Sequence, residues 1–135
     1  MDLHHTIEDL GLVLGEALKK AVGRKVSIQR FGTATVPLDD ALAWVSLDLS
    51  GRPYLVYKVD LPSRRRIKGF DAYLIEHFFE ALSTQGGMTL HINVPYGKNP
   101  HHILEAIFKA FGKALEGASR IDTRIKGIPS TKGKL

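Results

Sequence analysis

Apolar residues recur at helical spacing in three stretches of the chain, and each stretch predicts an amphipathic helix. The first helix is expected over about residues 6–22, ending at Gly23, since glycine suits the carboxyl end of a helix. The second is expected over about residues 70–84. The third is expected to open at Pro100 with Asn99 as its cap, because proline fits the first helical turn and asparagine accepts hydrogen bonds from free amides.

The stretches between these helices alternate apolar and polar residues, as strands with one buried face do. Strands are predicted over 26–31 and 89–94, with a loop at 32–35. The stretch 42–59 contains two alternating runs separated by the turn dipeptide Ser50-Gly51, which predicts a β-hairpin. Together these elements predict an α+β domain whose helices cover one face of a mostly antiparallel sheet.

One polar motif occurs twice, each time near the start of a predicted helix. It is His101-His102-Ile103-Leu104-Glu105 in the third helix and His4-His5-Thr6-Ile7-Glu8 in the first. The apolar stripes after the two motifs are in the same phase. Any two amphipathic helices share a stripe, but a shared stripe with the same polar motif indicates an internal duplication. The alternative is two helix starts with exposed polar residues, against which four of only six histidines lie in these pairs.

Helical geometry determines what each motif could bind. His101 and Glu105 are four residues apart and share one helix face, as His4 and Glu8 do. The second histidine of each pair is rotated by roughly 100° from the first, the angle set by 3.6 residues per turn. Neighbouring histidines therefore diverge, which suits two metal ions better than one. The chain thus carries two related half-sites, each with one His-x-x-x-Glu pair and one further histidine.

The composition narrows the possible chemistry. The 135 residues predict one domain, and the absence of cysteine means that any metal would be held by imidazole and oxygen ligands. The formal net charge of +5 favours anionic partners, either phosphate esters or nucleic acid. No apolar run approaches membrane-spanning length and no signal peptide is visible, so a soluble protein of the cytoplasm is expected.

Other residues could contribute to a site around the two motifs. His77 lies beside the apolar stripe of the second helix; alone it reads as a core-edge histidine, and beside the motifs it becomes a candidate metal ligand. His91 lies on a polar strand face and is expected to have a structural or supporting role. Lys109 follows Glu105 by four residues and therefore shares its helix face. It is either an ordinary solvated lysine or a cation that binds a phosphorylated substrate.

Two basic segments lie outside the predicted helices. The run Arg64-Arg65-Arg66 is most simply a solvated loop. The segment Ser130-Thr131-Lys132-Gly133 lies in a polar tail that could close over a phosphate.

Several motifs, taken in order along the chain, resemble those of a known family. They are His4-His5-Thr6-Ile7-Glu8-Asp9, Arg30-Phe31-Gly32, Leu38-Asp39-Asp40-Ala41-Leu42, Ser50-Gly51-Arg52-Pro53-Tyr54, Glu76-His77-Phe78-Phe79, His101-His102-Ile103-Leu104-Glu105 and Pro129-Ser130-Thr131-Lys132-Gly133. Together they resemble imidazoleglycerol-phosphate dehydratase of histidine biosynthesis, over nearly the whole chain.

The resemblance implies a duplicated fold similar to the second domain of ribosomal protein S5. In that fold residues 1–22 would be the last helix of the first repeat, 23–118 the second repeat and 119–135 a tail that closes over substrate. It implies a metal-dependent lyase that converts D-erythro-imidazole glycerol phosphate to imidazole acetol phosphate. It also implies two manganese ions per active site and a homo-oligomer built from trimers, with 24 subunits in the full-length family and active sites at subunit contacts.

The resemblance also assigns roles to individual residues. It implies that Glu8 and Glu105 are catalytic as well as metal-binding, while His91 is outside the ligand set. The implied metal ligands are His4, His5, Glu8, His77, His101, His102 and Glu105. The residues implied to meet the substrate phosphate are Arg30, Arg52, Lys109, Ser130 and Lys132.

The family normally carries an N-terminal segment before its first His-His pair. The first half-repeat is therefore expected to be incomplete here, with one metal ligand and part of the substrate pocket absent from the chain. One alternative to an active enzyme is consequently an inactive, metal-assembled oligomeric module of the same fold. Another is a nucleic-acid-binding protein, which the net charge suggests. Aromatic residues fall mostly on apolar stripes rather than among basic residues, so nucleic acid is not expected as a partner. A membrane is not expected either, because no apolar run approaches membrane-spanning length.

Overall fold

The computed structural model describes residues 2–62, 66–67 and 69–135. In this part of the chain three helices and six strands follow in the order α1 (Leu3–Val22), β1 (Phe31–Leu38), β2 (Ala41–Asp48), β3 (Tyr54–Lys58), β4 (Arg66–Ile67), β5 (Phe70–Asp71), α2 (Leu74–Gly86), β6 (Thr89–Tyr96) and α3 (Pro100–Ser119). The α+β class predicted from the sequence is confirmed. None of the helices in the described ranges is long and apolar enough to cross a membrane.

Both helices that carry the repeated motif begin with a side-chain cap. The carboxylate of Asp2 accepts a hydrogen bond from the backbone amide of His4 at 3.0 Å, so α1 begins earlier than the sequence predicts. The side-chain oxygen of Asn99 accepts one from the amide of His101 at 2.9 Å, which confirms the predicted cap of α3. The predicted end of α1 at Gly23 is also confirmed. Each His-His pair therefore lies in the first turn of its helix.

The main sheet has the strand order β1-β2-β6-β3. Strand β2 pairs antiparallel with both β1 and β6, whereas β3 pairs parallel with β6. The hairpin predicted over 42–59 is therefore wrong, because β6 lies between its two strands. The hairpin of this sheet joins β1 to β2 through Asp39 and Asp40, and Asp39 has the positive φ of 46° that a tight turn requires. Alternation identified the strands, but it carries no information about their partners.

The segment before β1 is not the strand that the sequence predicts over 26–31. Ser27 and Arg30 have positive φ angles of 58° and 71°, which interrupt an extended strand. Within the segment Ile28 makes one isolated bridge with Ile121. The C-terminal part of the chain therefore runs beside this segment.

The stretch 32–35, predicted as a loop, belongs to strand β1. Gly32 lies directly beneath α3, and a Cβ built there would be 1.8 Å from the carbonyl oxygen of Ala114. The glycine serves the close approach of helix and strand rather than a turn. The second helix also differs from its prediction, since Phe70–Asp71 pairs with Arg66–Ile67 as a short strand and α2 begins at Leu74.

The core lies between the sheet and α3. The inward face of β2 and β6, with Val45, Leu90 and Ile92, is buried against Ile103 and Ile107 of that helix. Helix α1 packs on α2 through Gly11 and Gly15, whose missing side chains let the two backbones approach. The fold therefore places one copy of the motif beside α2 and the other at one end of the sheet.

Candidate functional site

The first motif meets α2 at the amino end of α1. The imidazole of His4 lies 4.8 Å, between ring centroids, from that of His77, and its Nε2 atom lies 3.8 Å from Oε2 of Glu8. The same end of α2 contributes Glu80, whose Oε2 atom is 3.8 Å from Nδ1 of His77. Three of the residues predicted as ligands therefore lie together at a shallow cavity of about 260 Å³.

His5 points away from this group, as the helical angle requires. Its Nδ1 atom lies 2.8 Å from the carboxylate of Asp2, and its side chain is largely exposed. The two rings of the pair are edge to face, with centroids 5.9 Å apart. His4 and His5 are therefore presented to different surroundings.

The second motif forms a polar row on one face of α3. Nε2 of His101 lies 3.1 Å from Oε2 of Glu105, and Nζ of Lys109 lies 2.8 Å from the other carboxylate oxygen. The hydrogen bond and positive charge of Lys109, together with His101, lower the pKa of the Glu105 carboxyl. Glu105 is therefore an anion at neutral pH, between the ammonium group of Lys109 and the imidazole of His101. Lys109, predicted as a phosphate ligand, lies on the helix beside this carboxylate.

His102 leaves that row and turns toward the β1–β2 hairpin. Its Nδ1 atom lies 2.6 Å from Oδ1 of Asp40, and its Nε2 atom 3.7 Å from Oδ2 of Asp39. Hydrogen bonds from His102 and from the backbone amides of Asn99 and Lys98 lower the pKa of Asp40, while Asp40 raises that of His102. An ionised carboxylate only accepts, so Nδ1 of His102 carries the proton toward Asp40. The remaining nitrogen, Nε2, is the one available to a ligand.

Sequence reasoning missed Asp40 as a functional residue. It lies 62 positions before His102, and local spacing cannot connect residues that far apart. The signal that could have found it is the carboxylate in a tight turn, Leu38-Asp39-Asp40, within a motif that had already been singled out.

The histidines and carboxylates described so far fit a metal in chemistry but do not converge within one chain. Imidazole and carboxylate are the donor set of manganese and zinc sites. In residues 2–62, 66–67 and 69–135, no group of three such side chains lies close enough to hold one ion. The His4 and His101 clusters are on different helices, α1 and α3. The ligand roles of the seven predicted residues stay predictions.

Two of the cations predicted to bind phosphate, Arg30 and Arg52, lie at the opposite end of β1 from the Asp39–Asp40 turn. The guanidinium of Arg30 donates from Nε and Nη2 to the carboxylate of Asp48, at 2.7 Å and 3.1 Å. Nη2 of Arg52 lies 3.9 Å from the same carboxylate. Nη1 of Arg30 donates to the carbonyl of Pro129 at 2.9 Å, which places the adjacent Ser130 here. Asp48 was not among the predicted site residues.

The tail segment that carries the other two predicted phosphate ligands folds into a turn. The hydroxyl of Ser130 accepts a hydrogen bond from the amide of Lys132 at 3.2 Å, and its carbonyl accepts one from Gly133 at 3.1 Å. The structure therefore brings Arg30, Arg52 and the Ser130 turn together, while Lys109 contacts Glu105.

The remaining candidates lie elsewhere. His91 is exposed on β6, opposite Ser46 of β2 and Val56 of β3, on the sheet face away from α3. The prediction of a solvated loop at Arg64-Arg65-Arg66 falls outside the described residues, apart from the backbone of Arg66 in β4.

Solved structures define the class of this α+β protein. The crystal structure of imidazoleglycerol-phosphate dehydratase from Staphylococcus aureus subsp. aureus N315 superposes with a TM-score of 0.86 at 42% identity, covering 90% of this chain and 71% of that one. The enzyme from Pyrococcus furiosus, solved in complex with (S)-C348, gives the same TM-score and identity over 99% of this chain and 73% of that one. The fold is therefore that of a dehydratase.

Sequence relatives specify the family. The imidazoleglycerol-phosphate dehydratase family model matches residues 1–115. The dehydratase of Geobacter sulfurreducens is 55% identical and that of Trichlorobacter lovleyi 54% identical, each over all 135 residues and 69% of the relative's own length. The chain belongs to the imidazoleglycerol-phosphate dehydratase family, the lyases of histidine biosynthesis. The family and enzyme class expected from the sequence motifs are confirmed.

Proposed function

We propose that this protein is a metal-dependent lyase that dehydrates D-erythro-imidazole glycerol phosphate to imidazole acetol phosphate. The observation that carries the proposal is that one chain of this family holds both histidine–carboxylate clusters and a separate cluster of guanidinium groups. The substrate has the two matching features, an imidazole ring and a phosphate dianion. Each cluster therefore has a part of the substrate to recognise.

The phosphate would meet the cluster around Arg30 and Arg52. Guanidinium groups donate two hydrogen bonds at once to a tetrahedral oxyanion, and a backbone turn such as that at Ser130 can add hydroxyl and amide donors. Lys132 lies in the same turn. These groups would fix one end of the substrate and leave its imidazole ring to reach the histidine clusters.

The reaction breaks a weakly acidic C–H bond at the second carbon of the side chain, the carbon whose oxygen is kept and becomes the ketone of the product. The C–O bond on the neighbouring carbon, the one attached to the imidazole ring, also breaks, and its hydroxyl group takes up a proton and leaves as water. The resulting enol then tautomerises to the ketone. No electron acceptor is needed, because the electron pair from the C–H bond displaces the hydroxyl group. The developing charge must be stabilised at the ring.

The residues that would hold two manganese ions are His4, His5, Glu8, His77, His101, His102 and Glu105. If bound there, the ions would supply Lewis acidity that stabilises negative charge on the imidazole ring of the substrate. Asp40 keeps the proton of His102 on Nδ1 and so orients Nε2 as its donor atom. Glu105 is ionised beside Lys109, so it can ligate or accept a proton, and Glu8 is its counterpart in the first motif.

We also propose that the ligand sets are completed between subunits of a cytoplasmic homo-oligomer built from trimers, with 24 subunits in the complete assembly. Metal sites of this kind use about four protein ligands or more. Helix α1 with α2 offers His4, Glu8 and His77, and α3 offers His101 and Glu105. A second subunit that presents α3 to α1 would supply the remaining donors to both clusters.

The proposal is tested by assaying the dehydration of imidazole glycerol phosphate after chelation and again after manganese is added back. We expect turnover that depends on the metal. The variant His101→Ala should lose it, whereas the matched control His91→Ala should keep it, because His91 is an exposed histidine of β6 outside the ligand set. Equal activity in His101→Ala and the unmodified chain would contradict the metal-dependent mechanism.

One observation favours an inactive, metal-assembled module as the second candidate. Helix α1 exposes Leu10, Val13 and Leu14, an apolar row that suits association. Such a module would bind manganese and assemble, yet would not release imidazole acetol phosphate at any metal concentration. The same assay, run beside a measurement of bound manganese, separates the two candidates.

A further inference from the structure

Asp48 is the carboxylate that both Arg30 and Arg52, the guanidinium groups proposed to bind phosphate, approach. It ends strand β2, and its carboxylate accepts two hydrogen bonds from Arg30, at 2.7 Å and 3.1 Å. Arg52 approaches the same carboxylate at 3.9 Å. Asp48 and Arg30 are each only 15% exposed, so water does little to screen this pair.

The contacts of Arg30 hold its guanidinium in one orientation. Of its five N–H donors, two go to Asp48 and one, from Nη1, goes to the carbonyl of Pro129 at 2.9 Å. The guanidinium carbon also lies 4.7 Å from the centre of the Phe31 ring, within cation–π distance. Two donors, one on Nη1 and one on Nη2, are left for an anion.

The backbone of Arg30 is equally fixed. Its amide donates to the carbonyl of Ala118 at 2.9 Å, and its carbonyl accepts from the amide of Leu49 at 3.0 Å. These bonds tie Arg30 to the end of α3 and to the residue after Asp48, and they hold it at a φ of 71°. Both ends of the side chain are therefore anchored.

The side chain of Arg52, unlike that of Arg30, is not held in place by hydrogen bonds to Asp48. It is 67% exposed, and at 3.9 Å it is beyond hydrogen-bond distance from Asp48. It can therefore move to an anion while Arg30 stays in place. The hydrogen bond from Nη1 of Arg30 to the carbonyl of Pro129 also holds the turn that carries Ser130 next to Arg30.

We propose that Asp48 is a positioning residue that orients Arg30, and through it the Ser130 turn, for phosphate before the substrate arrives. This inference rests on the proposed function and deepens it. An arginine that is already oriented does not lose rotamer freedom when the anion binds, so less conformational entropy is lost on binding. Asp48 itself would not touch the phosphate.

The variant Asp48→Asn distinguishes a positioning role of Asp48 from a simple effect of its charge, because the two explanations predict opposite changes in phosphate binding. Removing a negative charge beside two arginines should strengthen phosphate binding if net charge alone matters. Asparagine cannot accept hydrogen bonds from both Nε and Nη2 of Arg30, since one of its side-chain atoms is itself a donor. We therefore expect KM to rise about tenfold or more, the effect of losing a charge-assisted contact, with a smaller change in kcat.

Three further variants make the test specific. Glu16→Gln breaks an exposed carboxylate–lysine pair with Lys20 within α1, outside the phosphate cluster and the histidine clusters, and should leave KM unchanged. Asp48→Glu keeps the charge and should raise KM less than Asp48→Asn. In an Arg30→Ala background, Asp48→Asn should have no further effect on KM, because Asp48 acts through Arg30.

Each outcome decides the inference. An unchanged or lowered KM in Asp48→Asn, with only a lower melting temperature, would overturn it. If Asp48→Asn does not fold, Asp48→Glu decides, since a wild-type KM there would show that the position of the carboxylate is unimportant. If the unmodified chain does not dehydrate imidazole glycerol phosphate, the proposed function fails by itself. The dissociation constant of inorganic phosphate then decides: weaker binding to Asp48→Asn than to the unmodified chain supports the inference, and equal binding refutes it.

Discussion

Identical dipeptides acquire different neighbours in this protein. Both His-His pairs begin a capped helix, but His5 contacts Asp2 at the start of its own helix, whereas His102 contacts Asp40 of a hairpin. Asp40 also accepts hydrogen bonds from the backbone amides of Lys98 and Asn99, just before α3. One carboxylate thus orients a histidine and the start of the helix that carries it.

We therefore expect Asp40→Asn to weaken the binding of manganese. Asparagine places an amide donor against the backbone amides or against Nδ1 of His102, so the orientation of the imidazole is lost. Loss of such a supporting contact typically costs about 10–100-fold in metal affinity. Isothermal titration with manganese measures it. Asp39→Asn is the matched control, since Asp39 is exposed and lies 3.7 Å from His102; an equal loss in both variants would contradict this role of Asp40.

Glycines at equivalent positions of the two repeated helices have different structural roles. Gly15 in α1 and Gly112 in α3 occupy the same position of the repeat. A Cβ at Gly15 would lie 2.7 Å from the carbonyl oxygen of Leu82 in α2. A Cβ at Gly112 would meet nothing within 4 Å among the described residues. The glycine in α1 permits helix contact, while that in α3 only lowers helix propensity.

Replacing each glycine with alanine should therefore change stability in opposite directions. Gly15→Ala forces α1 away from α2 and should lower the free energy of unfolding by about 1–3 kcal/mol. Gly112→Ala should raise it by up to about 1 kcal/mol, because alanine favours the helical backbone. Urea unfolding of the two variants measures the difference. Equal effects would show that α1 does not approach α2 as closely as the structure has it.

At the scale of the whole molecule, the two histidine–carboxylate clusters lie on helices with different packing partners. Helix α1 packs on α2, and α3 packs on the sheet, mainly on β1 and β2. Each cluster offers two or three donors, so a metal held by both would have to join two copies of the chain. Assembly, metal binding and stability are then linked by mass action.

We expect added manganese to shift the chain to a larger assembly with a higher melting temperature, and chelation to reverse both. Sedimentation velocity and thermal unfolding, each with and without manganese, measure the two effects. His4→Ala should respond to the metal less than the unmodified chain, while His91→Ala should respond fully. A size distribution that manganese does not alter would contradict ligands shared between subunits.

The sequence by itself determined what depends on neighbouring residues. The α+β class, the cap at Asn99, the end of α1 at Gly23 and the divergence of each His-His pair follow from local chemistry and helical geometry. The motifs also specified the family. These features need no knowledge of distant residues, because hydrogen bonds within one turn and the angle of 100° per residue decide them.

Only the tertiary structure decided which distant residues meet. Strand alternation identified β2 and β3 but could not show that β6 lies between them, because side-chain period is independent of partner choice. The sequence predicts a loop at Gly32 because glycine is common in loops, whereas its actual role, to let α3 approach β1, depends on a distant helix. Asp40 and Asp48 were missed for the same reason: a carboxylate becomes functional through the histidine or arginine that the fold brings to it, and that partner lies far away in the chain or across a turn.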